Sequence, residues 1–347
     1  MDLYSRFEQG SPAIVLAEGA FGTPSGKTAN GVVMHGELFD VRAVVDSTSA
    51  GRTADEVLDR EHVPAVPVVD SVEAALEAAP EAGILVVGVA PAGGELPEPW
   101  IDDIRSAMRA GCDVVSGLHL FLSEHEEWTR LAAECDVELV DVRKPPADAD
   151  LRVADGRVDD VDADVVVTMG TDCAVGKRTT TFELYKAARA AGLDAGWVAT
   201  GQTGIMVGAH RGVVVDRVPA DFIAGVVEDL VCDVAADHDV VFVEGQAALT
   251  HRAYSGVTIG ILHGANPDAV VLADDPGRDA RTHFERFAVA GVEAERRAID
   301  AVSGATVAAL STWGDPGTEG SKYDLPAADV FDDGGPEALL EAVRDSL

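Results

Sequence analysis

The 347-residue sequence contains few aromatic residues and very few lysines. Phe, Trp and Tyr make up 5% of the chain, so any hydrophobic core must be mainly aliphatic. Only five of the 26 basic residues are lysine, whereas 61 residues are acidic, and the net charge is −35. Nucleic acids and anionic membranes are bound by clustered Lys and Arg. We therefore expect neither a nucleic acid nor a membrane as a partner.

Cysteines and long apolar runs are also scarce. The four cysteines form no CxxC pair and have no zinc-type spacing, so we predict neither a disulfide framework nor a bound metal. No apolar run approaches the ~18 residues that a membrane-spanning helix needs. No basic segment precedes the first apolar run, as a secretory signal would require. These absences predict a cytoplasmic protein.

The acidic residues are distributed along the chain and are not concentrated in one block. A single acidic block would indicate a partner-binding tail. An acidic surface with few lysines is instead typical of adaptation to high salt. We therefore expect a halophilic, archaeal host, an expectation that carries no information about chemistry.

The fold class follows from the order of apolar and helical segments. Short Val- and Ile-rich runs alternate with helix-like stretches, which is the pattern of parallel sheets with crossover helices. The Pro-, Asp- and Gly-rich run at 144–165 is typical of an interdomain connection. We predict an α/β protein with domains at 1–145 and 146–347. The helices predicted in the second domain are 176–191, 219–236, 279–288, 291–303 and 336–346.

The strongest motif is VVVTMGTDCAVGKRTT, which starts at Val165 and places a glycine-rich loop between an apolar strand and a helix. In this context, backbone N–H groups and the positive end of the helix dipole converge on an anion. Lys177 then neutralises a phosphate oxygen. The motif therefore predicts a phosphate-binding loop. The residues that we assign to cofactor binding are Gly170, Thr171, Asp172, Cys173, Gly176, Lys177, Arg178 and Thr179.

Arg178 departs from the usual motif, in which the residue after the lysine is a Ser or Thr that binds magnesium. Thr179 or Thr180 could substitute for it. The departure weakens the case for magnesium and ATP and favours another phosphate-rich ligand such as coenzyme A, with Arg178 on a second phosphate. The loop also resembles the GTDTxVGK loop of dethiobiotin synthetases, which are ATP-dependent. An ATP-dependent ligase or kinase is therefore the alternative interpretation.

A second apolar strand, DVVFVEG, ends in Glu244. P-loop folds place such an acid beside the phosphates, where it holds a metal or accepts a proton from an attacking group. The following loop carries Gln246, His251 and Arg252, and polar groups at the carboxyl ends of strands form the sites of α/β folds. We interpret Glu244 and His251 as candidate bases, and Gln246 and Arg252 as candidate substrate ligands. The alternatives are an acid and a histidine that simply face water.

Two further glycine-rich segments follow predicted strands. ATGQTGIMVGAHRG at 199–212 permits close approach of a ligand, and we interpret Gln202 and Arg211 as candidate substrate ligands. LAEGAFGTPSGKTANG near the N-terminus contains a GKT, but its spacing fits a phosphate loop poorly. Pro24 also lacks one of the N–H groups that a phosphate cradle uses. A structural role is therefore favoured there over a nucleotide site.

Several long motifs together resemble one family over nearly the whole chain. They are LAEGAFGTPSGKTANG, VGVAPAGG, MGTDCAVGKRTT, GQTGIMVG and VEGQAALTHRAYSGVTIGILHGANPDAVVLADDPGR. Their order and length are similar to those of the DgcN-type family, long known only as a domain of unknown function. The resemblance implies a Rossmann-like N-terminal domain followed by a P-loop NTPase-like domain with a parallel sheet. It also implies N-acetylation of D-glutamate from acetyl-CoA.

On this resemblance, the P-loop would hold the phosphates of acetyl-CoA. Glu244 or His251 would deprotonate the amine of D-glutamate or a related amino dicarboxylate. Arg211 and Arg252 would bind its carboxylates. A non-catalytic nucleotide-binding regulator is a second alternative, besides the ligase or kinase with ATP and magnesium. We expect a small-molecule substrate and a homo-oligomer.

Overall fold

The computed structural model describes residues 1–60, 63–90, 96–282 and 284–347. These residues form two compact units: unit 1 comprises 1–145 and 202–208, and unit 2 comprises 146–201 and 209–347. The predicted second domain, 146–347, is therefore corrected in one segment, since 202–208 belongs to unit 1. The motif VGVAPAGG extends into residues 91–94, which lie outside the described residues.

The described residues contain strands and helices in alternation. The strands are β1 (Ser11–Leu16), β2 (Phe39–Val45), β3 (Val68–Val69), β4 (Ile84–Val87), β5 (Asp113–Ser116), β6 (Leu139–Asp141), β7 (Asp164–Gly170), β8 (Ala195–Ala199), β9 (Arg211–Gly212), β10 (Val240–Glu244), β11 (Ala269–Asp274), β12 (Ala280–Arg281), β13 (Phe284–Ala288), β14 (Thr306–Thr312) and β15 (Ala327–Ala328). The α-helices are α1 (Lys27–His35), α2 (Ala54–Leu58), α3 (Val72–Ala78), α4 (Glu98–Arg109), α5 (Glu126–Cys135), α6 (Lys177–Ala190), α7 (Gln202–Val207), α8 (Ile223–Ala235), α9 (Ser255–Ala265), α10 (Val292–Val302), α11 (Pro316–Tyr323) and α12 (Gly335–Ser346).

The sheet of unit 1 has the strand order β3-β2-β1-β4-β5-β6 within the described residues, and its neighbouring strands are parallel. The order reverses at β1, as in a Rossmann-like fold. Ile14, Val15 and Leu16 of β1 are completely buried. A parallel sheet covered on both faces requires such continuous apolar strands.

Helix α7 belongs to unit 1 although it follows β8 in the chain. The hydroxyl groups of Thr203 in α7 and Thr28 in α1 are 2.7 Å apart, and both side chains are buried. A Cβ added to Gly31 would lie 3.0 Å from the Thr203 methyl group, so glycine allows the two helices to approach. Thr28 belongs to the N-terminal GKT segment. Its hydroxyl therefore has a structural partner, which agrees with the structural interpretation of that segment.

The sheet of unit 2 has the strand order β15-β14-β11-β7-β10-β8-β9 within the described residues, again with parallel neighbours. Strand β7 lies between β10 and β11, where the direction of progress through the sheet changes. Open α/β sheets place their sites at the carboxyl ends of strands beside such a switch point. The glycine-rich loop after β7 starts at this point.

The helix predicted at 279–288 is wrong, because this segment contains the antiparallel hairpin β12–β13. Nothing in its composition forbids a helix, so long-range contacts decide its conformation. The Phe284 ring centroid lies 5.4 Å from that of His251 and 5.7 Å from that of Tyr254. The backbone N–H of Thr282 donates to a carboxylate oxygen of Asp172 at 3.0 Å.

The architecture confirms the predicted fold class. Both units are α/β with parallel sheets, and the strand order of the first is that of a Rossmann-like fold. Among the helices of the described residues, none combines the length and the apolar character needed to cross a bilayer.

Candidate functional site

The candidate site is built on the loop between β7 and α6. Gly176 precedes α6 with a φ of +96°, and Ala174 has a φ of +52°, so the loop uses left-handed backbone at two positions. Such conformations allow successive backbone N–H groups to face one anion. The start of α6 adds unpaired N–H groups and the positive end of the helix dipole. Local geometry therefore supports the predicted phosphate-binding loop.

Lys177 is the first residue of α6, and only 6% of its surface is exposed. Its ammonium donates a hydrogen bond to the backbone carbonyl of Asp172. Burial lowers the pKa of Lys177 to about 8, and the nearby carboxylates of Asp172 and Glu244 only partly oppose this effect. A phosphate at the loop would supply the charge partner that a buried ammonium requires.

Arg178 is half-buried beside Lys177 and has no hydrogen-bonded or ion-paired partner among the described residues. Burial lowers the pKa of its guanidinium, although the charge of Glu244 opposes this. Thr179 is half-buried as well. The Thr180 hydroxyl lies 2.8 Å from that of Ser311 and is buried, so it serves packing between α6 and β14. Of the two candidate magnesium ligands after Arg178, Thr179 alone is left.

Asp172 is a fully buried carboxylate at the centre of the loop. Burial would raise its pKa, but backbone N–H groups of Thr282 and Cys173 and the guanidinium of Arg281 outweigh this and lower the pKa. Asp172 is therefore an ionised anchor that holds the loop, and it is not available as a base. Thr171 is anchored similarly, since its hydroxyl donates to Asp274 of β11 at 2.6 Å.

Two arginines that follow β11 in the chain hydrogen-bond to the backbone of the phosphate loop. Arg281 is 2% exposed and donates to the carbonyl of Thr171, to Asp172 at 3.3 Å and to the Thr250 hydroxyl at 2.6 Å. Arg278 donates to the carbonyls of Cys173 and Ala174. These bonds occupy carbonyl groups of the loop. Both guanidiniums are also ion-paired, Arg281 with Asp172 and Arg278 with Asp275 at 3.2 Å, so the two arginines fix the conformation of the loop.

His251 is fully buried, and its ring stacks on Tyr254 at a centroid distance of 4.8 Å. The backbone N–H of Ala253 donates to Nδ1 at 3.2 Å, so a neutral ring carries its proton on Nε2. Nε2 faces Asp172 at 3.8 Å and has no hydrogen-bond partner among the described residues. Burial and the charge of Arg281 lower the pKa of His251. The imidazole is thus a neutral donor, and this geometry favours Glu244 over His251 as the base.

Cys173, Asp172 and His251 each place one potential metal ligand atom within 4.8 Å of the others. These three groups do not suit a metal cation, for three reasons. A metal on Nε2 of His251 would require a proton on Nδ1, where the N–H of Ala253 already points. Asp172 is also engaged by Arg281. Burial raises the pKa of the half-buried Cys173 thiol, so it is uncharged at neutral pH.

Glu244 ends β10 and is 5% exposed. One of its carboxylate oxygens accepts the backbone N–H of Thr200 at 3.3 Å, and its carbonyl accepts the Thr200 hydroxyl at 2.7 Å. Gln246 donates to the same hydroxyl at 3.1 Å. Glu244 also acts on the pKa of both Lys177 and Arg178. The structure therefore brings Glu244 and Gln246 together beside the phosphate loop, as the sequence predicts.

The other three predicted substrate ligands, Arg252, Arg211 and Gln202, lie on different elements of the structure. Arg252 is exposed, and its guanidinium lies 4.8 Å from the ring centroid of Phe287 on the hairpin β12–β13. Arg211 lies 3.7 Å from Asp233 of α8 and donates to the carbonyl of His210, and none of these partners belongs to the phosphate loop. Gln202 begins α7 in unit 1. Their role in substrate binding stays a prediction.

Sequence reasoning missed Asp274, Arg278 and Arg281 as parts of the site. The segment VLADDPGRDAR contained the signal, since acids end an apolar strand and two arginines follow. The erroneous helix at 279–288 hid it, because a helix would not direct Arg281 back to Thr171.

Two family models and one solved structure are similar to this chain. The family model described as "Domain of unknown function (DUF1611_C) P-loop domain" matches residues 152–340, and the model described as "Domain of unknown function (DUF1611_N) Rossmann-like domain" matches residues 47–145. The crystal structure of a DUF1611 family protein from Anabaena variabilis is 30% identical, with a TM-score of 0.87 over 97% of this chain and 100% of that chain.

Two curated relatives carry the name D-glutamate N-acetyltransferase. The protein from a Pseudoalteromonas species is 38% identical over 188 residues, which are 54% of this chain and 54% of that protein. The protein from Tritonibacter scottomollicae is 39% identical over 215 residues, which are 61% of this chain and 62% of that protein. The chain thus spans between half and two thirds of the relatives that it matches.

Proposed function

This chain belongs to the DUF1611 family, and we propose that it transfers the acetyl group of acetyl-CoA to the amine of D-glutamate or a related amino dicarboxylate. The names of the two curated relatives support this activity. The observation that carries the proposal is the adjacent pair Lys177 and Arg178 at the start of α6. In the usual motif, the lysine is followed by a Ser or Thr whose hydroxyl binds magnesium. Here the lysine is followed by Arg178, so two cationic side chains stand next to each other.

The phosphates of coenzyme A are the proposed ligand of the loop. Lys177 neutralises one phosphate oxygen, and Arg178 binds another, since a guanidinium forks to two oxygens. Arg278 and Arg281 are already ion-paired, with Asp275 and Asp172 respectively. Neutralisation of the phosphates is therefore assigned to Lys177 and Arg178. Magnesium is not needed to neutralise the ligand in this arrangement.

Glu244 is the proposed base. The amine nitrogen attacks the thioester carbonyl, the C–N bond forms and the C–S bond breaks. The proton that leaves the amine passes to Glu244, and Glu244 then returns it to the departing thiolate of coenzyme A, so that free thiol is released. The N–H of Thr200 orients the carboxylate, and burial keeps water away from it.

Arg252 is the favoured ligand for a substrate carboxylate. It is exposed, it stacks on Phe287, and it has no carboxylate partner in the part of the chain that the structure describes. Arg211 already lies near Asp233, so it would have to exchange one carboxylate for another.

An ATP-dependent ligase or kinase is the second candidate. The loop GTDCAVGK is similar to that of dethiobiotin synthetases, and Glu244 holds the position at a strand end where P-loop enzymes place a metal-binding acid. The packing of Thr180 against Ser311 counts against this candidate, since it removes one of the two available magnesium ligands.

A paired assay in molar KCl separates the two candidates. The protein is given D-glutamate with acetyl-CoA in one reaction and D-glutamate with magnesium and ATP in the other, and free thiol and ADP are followed. We expect thiol release that requires D-glutamate and that falls about 10²- to 10⁴-fold in Glu244→Gln, the range for loss of a general base.

His251→Ala is the comparison variant, because His251 lies in the segment that follows Glu244 and β10 and is not the proposed base. Equal loss in both variants would contradict the assignment of the base to Glu244. ADP release without thiol release would contradict acetyl transfer and support the ligase or kinase.

A further inference from the structure

Trp313 differs from the other tryptophans in its exposure. Trp100, Trp128 and Trp197 are buried, whereas 45% of the surface of Trp313 is exposed. Single exposed apolar residues are common and need no explanation by themselves. Trp313 is of interest because its exposed ring lies beside the phosphate loop.

The indole of Trp313 lies at the rim of the phosphate loop. Trp313 follows β14, and a Cβ added to Gly176 would lie 3.1 Å from Nε1 and 3.4 Å from Cζ2 of the indole. Gly176 is the last residue before Lys177. The ring is therefore in contact with the loop, and nearly half of the residue's surface is open to solvent.

The backbone on either side of Trp313 is held firmly. The N–H of Trp313 donates to the carbonyl of Asp274 at 3.1 Å, and the N–H of Gly314 donates to the Thr312 hydroxyl at 3.0 Å. A Cβ added to Gly314 would lie 2.6 Å from Pro276. Asp315 caps α11 by accepting the N–H of Thr318 at 2.7 Å. The ring is thus presented by a fixed loop, which lowers the entropy lost when a ligand binds.

We propose that Trp313 is a stacking surface for the base of an adenine nucleotide whose phosphates lie in the loop before α6. Aromatic side chains bind bases through their π faces, with little dependence on hydrogen bonding. The ring lies beside the phosphate loop, so one ligand can reach both. Under the proposed function, on which the identity of the nucleotide rests, the base is the adenine of coenzyme A.

A structural role is the competing explanation. The indole could simply pack on Gly176 and support the loop. The two roles differ in one measurable respect, because stacking acts only on ligands that contain a base, whereas support of the loop acts on every phosphate ligand.

Calorimetric titration of wild-type protein, Trp313→Phe and Trp313→Leu with coenzyme A, ADP and inorganic pyrophosphate separates them. We expect Trp313→Leu to bind coenzyme A roughly 5- to 150-fold more weakly, the range for loss of one stacked base. Trp313→Phe should lie between Leu and wild type, and pyrophosphate should bind all three proteins equally. Tryptophan fluorescence of the wild type should also change with coenzyme A and not with pyrophosphate.

Two outcomes would overturn the proposal. One is an unchanged affinity for coenzyme A and ADP in Trp313→Leu, and the other is an equal loss of affinity for pyrophosphate. If ADP bound and coenzyme A did not, the proposed acetyl-CoA site would fail while the ADP titration still tested Trp313. If neither nucleotide bound to the wild type, both proposals would be contradicted.

Discussion

At the scale of single residues, the protonation state of Lys177 sets the charge at the start of α6, beside the phosphate loop. Its ammonium is buried, and its pKa of about 8 places the change of charge close to physiological pH. Between about pH 8 and the ordinary pKa of lysine near 10.4, the unfolded chain holds a proton at this residue that the folded chain has lost. In the absence of ligand, the contribution of Lys177 to stability therefore increases with pH in this window.

A phosphate ligand should raise the pKa of Lys177, since an opposite charge favours the ammonium. We expect binding of coenzyme A near pH 8.5 to take up protons and the affinity to fall at higher pH. The phosphates themselves contribute no proton there, since their last pKa is about 6. Calorimetry in buffers of different ionisation enthalpy measures this uptake.

Lys177→Arg is the matched control, because a guanidinium stays charged throughout this range. Proton uptake should vanish in the variant. The same uptake in wild type and Lys177→Arg would show that another group titrates.

The residues that sequence alone could predict are those fixed by local context. Lys177 follows from the order of strand, loop and helix, and Glu244 from the end of a strand. The tautomer of His251 and the role of Arg281 could not be predicted, since they depend on contacts between segments. Arg281 is 110 residues from Thr171 in the chain, and no spacing rule joins them.

At the scale of elements, the hairpin β12–β13 stabilises the conformation of the phosphate loop. Arg281 of β12 bonds to the loop and to Thr250, and Thr250 is itself held by buried Glu295 of α10. Three segments that are distant in sequence therefore meet around Asp172. The strands of the two parallel sheets and the helices between them can be predicted from the hydrophobic periodicity of the sequence. The hairpin cannot, because it is formed by contacts between distant segments.

Arg281→Ala should destabilise the protein by about 3–5 kcal/mol, because it removes a charge partner of buried Asp172. Thermal unfolding measures the change. Arg286→Ala is the control on the same hairpin, since Arg286 is exposed and stacks on Phe287. We expect that control to change stability by no more than about 0.5 kcal/mol. Equal effects of the two substitutions would contradict this stabilising role.

At the scale of the whole molecule, the fold was predictable because both sheets are parallel, and buried parallel strands read as continuous Val- and Ile-rich runs. The membership of segment 202–208 in unit 1 was not predictable, because it follows from the packing of α7 on α1, which includes the hydrogen bond between Thr28 and Thr203. The net charge of −35 is also a property of the whole chain. We propose that it reflects adaptation to high salt.

Self-repulsion among these charges should destabilise the folded state at low ionic strength and be screened by salt. We expect the unfolding temperature to rise steadily between 0.1 and 2 M KCl, and the protein to unfold on dialysis into dilute buffer. Sucrose at matched osmolality is the control, since it does not screen charge. An unfolding temperature independent of KCl, or matched by sucrose, would contradict the proposal.

The central claim is that the loop before α6 holds the phosphates of coenzyme A without magnesium. Titration of coenzyme A in molar KCl with EDTA tests it in wild type, Lys177→Ala and Lys186→Ala, the last being an exposed lysine of the same helix. We predict tight binding to wild type and Lys186→Ala, and an affinity roughly 10- to 150-fold lower in Lys177→Ala, as expected for one charged hydrogen bond. Equal affinity in all three proteins, or binding that required magnesium, would contradict the claim.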